Sequence, residues 1–329
     1  MAFQILCLSG GGYMGLYTAC VLAALEEEGD GSILDHFDLV AGTSVGGIIA
    51  LGLANGTPAH DIRDSLLNHG SEIFTDRPPP QSSFSKRAAL LKNAGKAKYS
   101  PAALRRTIVD LVGEDTLIGD LGHRVMIPAV NLTKGSPQVF KTPHHRTFKR
   151  DWRLKVVDVA LATSAAPTFF PLHRIGGELF ADGGLYANAP DHLALHEAEH
   201  FLEQACDEIS VLSIGTTTSR FSFSNSTSAN LGWMGWMDDQ RLPNVMIAAQ
   251  QENTGYMMRH RLGDRYLRID QLQSKEQERS LALDVASSAA KHDLQALAEA
   301  SVREHLGRTE LPRLLQHRAA TPRFHRAEE

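Results

Sequence analysis

Two strand-turn-helix units stand in succession at the start of this chain, each turning on glycine, and no other feature restricts the fold as much. Phe3 to Leu8 is apolar for the length of a buried strand, and Gly10, Gly11, Gly12 and Gly15 lead it into an apolar helix that Gly29 can end. Phe37 to Val40 reads as a second strand, Gly42 to Gly47 as a tight turn, and Ile48 to Ala54 as a helix closed by Asn55-Gly56. Strands that are apolar along their whole length are covered on both faces. The two units therefore predict an α/β fold in three layers, a central and largely parallel sheet flanked by helices.

Further along, Thr57-Pro58 and Ser100-Pro101 each put a capping residue before a first-turn proline, which predicts helix starts there. Between them the irregular stretch Thr75 to Tyr99 carries Arg77, Lys86, Arg87, Lys92, Lys96 and Lys98, with no acid from Arg77 to Lys98. Arg124 to Asn131, Gln138 to Lys141, Glu178 to Ala181, Ile209 to Ile214 and Tyr266 to Ile269 have strand character. Lys155 to Thr163, Pro243 to Met258 and Lys275 to Glu304 are helical in pattern. The serine-rich Ser219 to Ser228 suits a surface loop, and Trp233, Met234, Trp236 and Met237 behind it form an apolar cluster, either core packing or a lid. No repeat or composition break divides the chain. The expected organisation is a catalytic core at 1–215 with a helical, basic insertion at about 57–112, a helical C-terminal part of the same domain at 216–310, and a flexible tail at 311–329.

A chain of 329 residues that is 43% hydrophobic and 22% charged can bury a large core. Its formal net charge of -5 excludes a general binder of nucleic-acid polymers, which needs a basic surplus. Cys7, Cys20 and Cys206 lack metal-ligand spacing and read as small core residues in a reducing compartment. The N-terminal segment lacks the basic start of a signal peptide, and the most apolar stretch, Val40 to Ala54, is shorter than the roughly 20 residues of a spanning helix. A cytoplasmic protein with only peripheral membrane contact is expected.

Three motifs carry chemistry. Gly42-Thr43-Ser44-Val45-Gly46 lies at a strand-to-helix junction, where small neighbours permit the sharp turn that lifts a serine hydroxyl out of the sheet as a nucleophile. Gly10 to Gly12 leave backbone N–H groups free to converge on a developing oxyanion. Asp182-Gly183-Gly184 follows a strand and offers Ser44 a base, provided that burial raises the carboxylate above its ordinary pKa of about 3.9. Rival readings exist for parts of this set. Gly10-x-Gly12-x-x-Gly15 also fits a dinucleotide fingerprint with Asp35 or Asp38 at the ribose distance, but the second strand ends in a serine elbow instead. His192, His196 and His200 follow Asp182 in the order of a Ser-Asp-His triad, yet their helical spacing makes them one polar helix face. His196-Glu197-Ala198-Glu199-His200 formally completes H-E-x-x-H, a zinc metalloprotease signature with Glu197 as base, but without a recognisable third ligand; no metal is expected.

Taken in order, the glycine run, the serine elbow and Asp182-Gly183 resemble the patatin-like phospholipase family. Ala162 to Pro171 and Phe180 to Pro190 are similar to the family segments before and around its aspartate, and the likeness runs through Ser213-Ile214-Gly215. The resemblance implies a lipid acyl hydrolase that cleaves the carboxylic esters of membrane glycerophospholipids through an acyl-enzyme and without a cofactor. Ser44 and Asp182 would be the catalytic dyad, and Gly10, Gly11 and Gly12 the oxyanion hole. Gly15, Gly42, Gly46, Gly183 and Gly184 would support them. Met14 departs from the family, which usually carries Arg or Lys before the last glycine of the loop; a non-catalytic sensor or scaffold of the same fold is the alternative this departure favours. The compact bacterial members include effectors of antiphage signalling switched on by cyclic dinucleotides, so the resemblance also implies such an activator and a homo-oligomer. Arg259, Arg261, Arg265 and Arg268 with Tyr256 and Tyr266, or the basic stretch before Tyr99, would then supply phosphate contacts and stacking.

Overall fold

A computed structural model of the chain describes residues 2–29, 31–76, 96–217, 227, 229–232, 235–236, 241–274 and 276–326. The strands are β1 (Phe3–Leu8), β2 (Leu39–Gly42), β3 (Val125–Asn131), β4 (Ser136–Lys141), β5 (His173–Ile175), β6 (Glu178–Asp182), β7 (Ile209–Ile214) and β8 (Tyr266–Ile269). The helices are α1 (Gly15–Glu28), α2 (Val45–Ala54), α3 (Ala59–Ile73), α4 (Pro101–Val112), α5 (Val156–Thr163), α6 (Gly184–Ala187), α7 (Asp191–His200), α8 (Arg241–Leu262), α9 (Gln277–Ser280), α10 (Ser288–Leu306) and α11 (Glu310–Leu315). Among the described residues all eight strands join one sheet, ordered β5-β6-β3-β2-β1-β7-β8 with β4 also on β3. The pairs from β3 through β2, β1 and β7 to β8 are parallel, and β4, β5 and β6 are antiparallel additions.

Every residue of β1 is buried because both of its faces are covered. Leu6 and Leu8 point into a core shared with α1 to α5, α10 and α11, while Phe3, Ile5 and Cys7 face a smaller core with α7 and α8. The helix α1 is apolar nearly all round because it lies between the sheet and α10, where Tyr17 Oη and Ser301 Oγ bond at 2.7 Å. The three layers expected from the two opening units are thus present.

One detail of the sheet positions the site. β4 pairs with β3 from Met126 to Asn131, which occupies one edge of β3. β2, parallel to β3 at Val125 and Met126, and β6, antiparallel at Ala129 to Asn131, must then share the other edge. Running in opposite directions along one edge, they bring their C-terminal ends together beside Ile127 and Pro128. Thr43 and Ser44 leave the end of β2, and Asp182 closes β6.

The structure corrects several expectations. The helix read from Lys275 to Glu304 is interrupted between α9 and α10, because Leu283 O is taken by Tyr13 N at 2.8 Å and Asp284 O by Thr75 N at 3.2 Å. Thr57 does not cap α3; its hydroxyl donates to Leu111 O at 2.7 Å, and Glu26 supplies an acceptor for Ala59 N at 2.7 Å. The short strand β5 has no clear signature in the sequence. The tail is not frayed through Arg326: Leu311 and Leu314 are buried, His317 Nε2 meets Asp38 Oδ2 at 2.8 Å, and Ala319 N donates to Asp35 O at 2.8 Å. Its polar residues dock on backbone and carboxylate acceptors, which a hydrophobicity reading overlooks. Among the described residues no helix is long and apolar enough to cross a membrane. The basic stretch from Arg77 to Lys92, most of the serine-rich segment, and Trp233, Met234 and Met237 lie outside the described residues.

Candidate active site

Ser44 sits in the turn between β2 and α2 with φ 55° and ψ -124°, a conformation that side chains other than glycine rarely adopt. A close backbone approach and a set of hydrogen bonds hold it there. A Cβ at Gly42 would land on the Gly46 carbonyl, so only glycine lets the turn close this tightly. Thr43 N donates to Leu8 O at 3.1 Å, and Thr43 Oγ1 donates to Ala187 O at 2.7 Å. Ser44 N donates to Thr163 Oγ1 at 3.0 Å, and the same hydroxyl donates to Pro128 O at 2.6 Å, so Thr163 stitches the elbow to the seam where β2 and β6 meet.

Across that seam Ser44 Oγ donates to Asp182 Oδ2 at 2.7 Å. The other oxygen, Oδ1, accepts from Gly184 N at 2.7 Å. Asp182 is 5% exposed, and burial raises its pKa to about 6, against the opposing pull of the bonds from Ser44 and Gly184. Gly183 packs so closely on Pro128 that a side chain would strike its carbonyl. No histidine hydrogen-bonds to Ser44 or Asp182 among the described residues.

Gly10 lies against Ser44, with a Cβ position 3.2 Å from Ser44 Cβ. Its N–H, however, donates to Asn188 O at 2.9 Å. Its carbonyl accepts from Asn188 Nδ2 and Thr216 Oγ1, both at 3.1 Å. Of the three expected donors, Gly10 N–H is thus already engaged, while the N–H groups of Gly11 and Gly12 have no partner among the described residues. Gly12 has φ 57°, and Gly15 packs on Val45. Met14 places its sulfur 3.2 Å from Gln273 Nε2. A cation approaches the loop from elsewhere: Arg268 Nη1 reaches Ser9 Oγ at 3.4 Å and Ser213 Oγ at 2.8 Å, while Nη2 donates to Asp270 Oδ2 at 2.7 Å. Burial alone would weaken its charge, but Asp270 and its other neighbours hold it firmly protonated. The sequence singled out Arg268 only as one of a row of arginines.

The rival constellations do not assemble. Asp38 is at the opposite end of β1 from the glycine run, accepting from Gln4 N at 2.9 Å, and Asp35 caps the turn after Ser32. Glu197 of the H-E-x-x-H segment is buried, paired with His144 Nε2 at 3.0 Å and with Lys141, so it does not face a metal between His196 and His200. Those two rings stack at 5.2 Å instead. The arginine row also disperses: Arg261 pairs with Glu199 at 2.6 Å, Arg265 donates to Ile209 O at 2.8 Å, and Tyr266 is buried on Asp191. Only Arg259 and Arg268 come to one cavity.

An elbow serine bonded directly to a buried aspartate, on a parallel sheet with a glycine loop beside it, is the arrangement expected of patatin-type hydrolases. The patatin-like phospholipase family model matches residues 6–195, and the chain belongs to this family. Over 98% of its length it is 41% identical to a cGAMP-activated phospholipase of Pseudomonas aeruginosa, covering 95% of that protein. It is 38% identical to a cGAMP-activated phospholipase of Vibrio cholerae, with 88% of each chain covered, and 36% identical to one of Escherichia coli, with 89% of this chain and 86% of that one covered.

Proposed function

We propose that the chain is a phospholipase A-type acyl hydrolase that uses Ser44 and Asp182 as a catalytic dyad and is switched on by a cyclic dinucleotide. The observation that carries the catalytic reading is the 2.7 Å bond from Ser44 Oγ to Asp182 Oδ2, made inside a site where the carboxyl is raised to about 6. At neutral pH Asp182 is ionised yet basic enough to take the serine proton as Oγ adds to the ester carbonyl. The carbonyl oxygen becomes an oxyanion, which the N–H groups of Gly11 and Gly12 stabilise. As the tetrahedral intermediate collapses, Asp182 returns the proton to the departing alcohol, a lysophospholipid, and leaves an acyl group on Ser44. Water then adds to the acyl-enzyme with Asp182 as base again, and the fatty acid departs.

Apolar groups border the catalytic turn: Gln250 of α8 bonds to Gly184 O and Leu185 O, Leu185 is solvent-exposed, and one turn earlier α8 exposes Met246. This is a rim suited to lipid tails. The regulatory half of the proposal rests on relatives that carry cGAMP activation in their names and match nearly the whole chain. It suits a cytoplasmic enzyme of antiphage defence that acts at the inner face of its own cell's membrane only when signalled. The test is mass spectrometry of products from defined phospholipid vesicles with and without cGAMP, with Ser44→Ala as control. Released fatty acid that needs both Ser44 and the nucleotide supports the proposal; release by Ser44→Ala equal to wild type overturns the catalytic half.

A further inference from the structure

Beyond the catalytic strands, one face of α8 meets the end of β8 around an open cavity of about 160 Å³, walled by Gln251, Glu252, Arg259, Arg268, Asp270 and Leu272 among others. Two guanidinium groups enter it and differ in status. Arg259 is exposed and has no ion pair among the described residues. Arg268, 16% exposed, is fixed by Asp270 through Nη2 and by Ser213 and Ser9 through Nη1. One anchored guanidinium beside a second one without an ion pair matches the paired oxygens of a phosphodiester. The space suits one such group, not a whole nucleotide. Around the rim Tyr256, 59% exposed and ring-paired with His260 at 4.4 Å, and Leu272, 56% exposed, offer apolar faces for a purine. Glu252 adds a carboxylate acceptor for the N1–H and N2–H edge of a guanine.

The cavity is also wired to the oxyanion loop. Arg268 holds Ser9, the residue before Gly10. Asp270 accepts from Thr217 N at 3.1 Å, and the adjacent Thr216 donates to the Gly10 carbonyl. We propose that this cavity binds a phosphodiester of the cyclic dinucleotide through Arg259 and Arg268, and that Arg268 transmits occupancy to Gly10–Gly12 through Ser9. The site rests on the activator reading above. A phosphate oxygen that draws the Arg268 guanidinium towards the cavity changes its grip on Ser9, and with it the aim of the Gly11 and Gly12 donors.

The experiment is calorimetric titration of cGAMP into the full chain, together with the ratio of vesicle hydrolysis with and without cGAMP, for wild type, Arg259→Gln and Ser9→Ala. Arg259→Gln is expected to weaken binding by about tenfold or more. Ser9→Ala is expected to bind within about threefold of wild type while its activation ratio falls at least about fivefold. If wild type binds and is activated while Arg259→Gln binds equally well, the ligand sits elsewhere and this site is wrong, though the activator reading stands. Full activation of Ser9→Ala overturns the coupling route. If wild type neither binds nor responds, the activator reading fails and the site falls with it.

Discussion

Two turns of this molecule obey the same local grammar and are held in different ways. Each follows a parallel strand, opens a helix and contains one residue with φ near 55°, Ser44 in one and Gly12 in the other. The elbow is fastened by residues between Leu8 and Ala187, all inside the segment that defines the family. The glycine loop takes several of its clamps from beyond that segment: Thr216 on the Gly10 carbonyl, Leu283 on Tyr13 N, and Arg268 on Ser9. The proposed nucleophile, Ser44, is thus set by the shared core, whereas the proposed oxyanion donors, Gly11 and Gly12, answer in part to the C-terminal part of the chain. A regulatory input has most leverage on the second.

The comparison breaks most sharply at the dyad. Ser44→Ala and Asp182→Asn each lower vesicle hydrolysis by about four orders of magnitude or more, because members of one catalytic unit fail together. Stability separates the two. The Asp182 carboxyl is raised from 3.8 to about 6 in the folded state, so its contribution to stability is intact below 3.8 and is lost as pH rises through 6. Asp182→Asn escapes that loss and should melt higher than wild type at pH 8, by up to about 3 kcal/mol, with the gap closing towards pH 4. A melting point at pH 8 below that of wild type would contradict a carboxylate held against its desolvation.

Next in size is the contrast between the turns themselves. Gly42→Ala forces a methyl onto the Gly46 carbonyl and should cost about 3 kcal/mol or more, with activity lost along with the fold. Thr216→Val removes one hydrogen bond to Gly10 O, costs about 1 kcal/mol, and lowers kcat roughly tenfold without a matching rise in KM. Chemical unfolding and steady-state kinetics on a soluble ester read both. Equal stability losses in the two variants would erase the distinction between an internally packed elbow and an externally clamped loop.

A comparable effect follows from pH. With Asp182 as base, kcat/KM rises with pH and levels above about 6, so that at pH 5 it stands about tenfold below its plateau. A profile centred near 4 would mean that the carboxylate is not desolvated during turnover. The smallest expected effect is that of chelators: dialysis against EDTA leaves hydrolysis unchanged, and a loss restored by zinc would reopen the role of His196 and His200.

The sequence carried the fold class and the residues that meet at the seam because each lies in a local pattern: an all-apolar strand, a glycine turn, an aspartate followed by two glycines. What it left unread depends on partners far along the chain. Nothing in Gly10-Gly11-Gly12 says that the first N–H is taken by Asn188 O. The helical periodicity from Lys275 to Glu304 conceals an interruption whose carbonyls serve Tyr13 and Thr75. Arg268, one of four arginines in a ten-residue stretch, is told apart only by β8 pairing with β7 and so carrying it to Ser213 and Ser9. Likewise His317 finds a partner only because the tail returns to Asp38, just before β2.

The shared edge of β3 makes that strand a ruler. Ala41 is registered at Met126 and Asp182 at Ala129, so the gap between the strand that leads into Ser44 and the strand that ends in Asp182 is measured out by three residues of a third strand, about 10 Å at about 3.3 Å per residue. The gauge holds neither Ser44 nor Asp182, and what it contributes to their spacing is the number of its residues. A single residue inserted between Met126 and Ala129 would lengthen it by one step, more than the whole length of the Ser44–Asp182 bond. The separation of Ser44 from Asp182 is therefore set by the length of β3, a strand that carries neither residue.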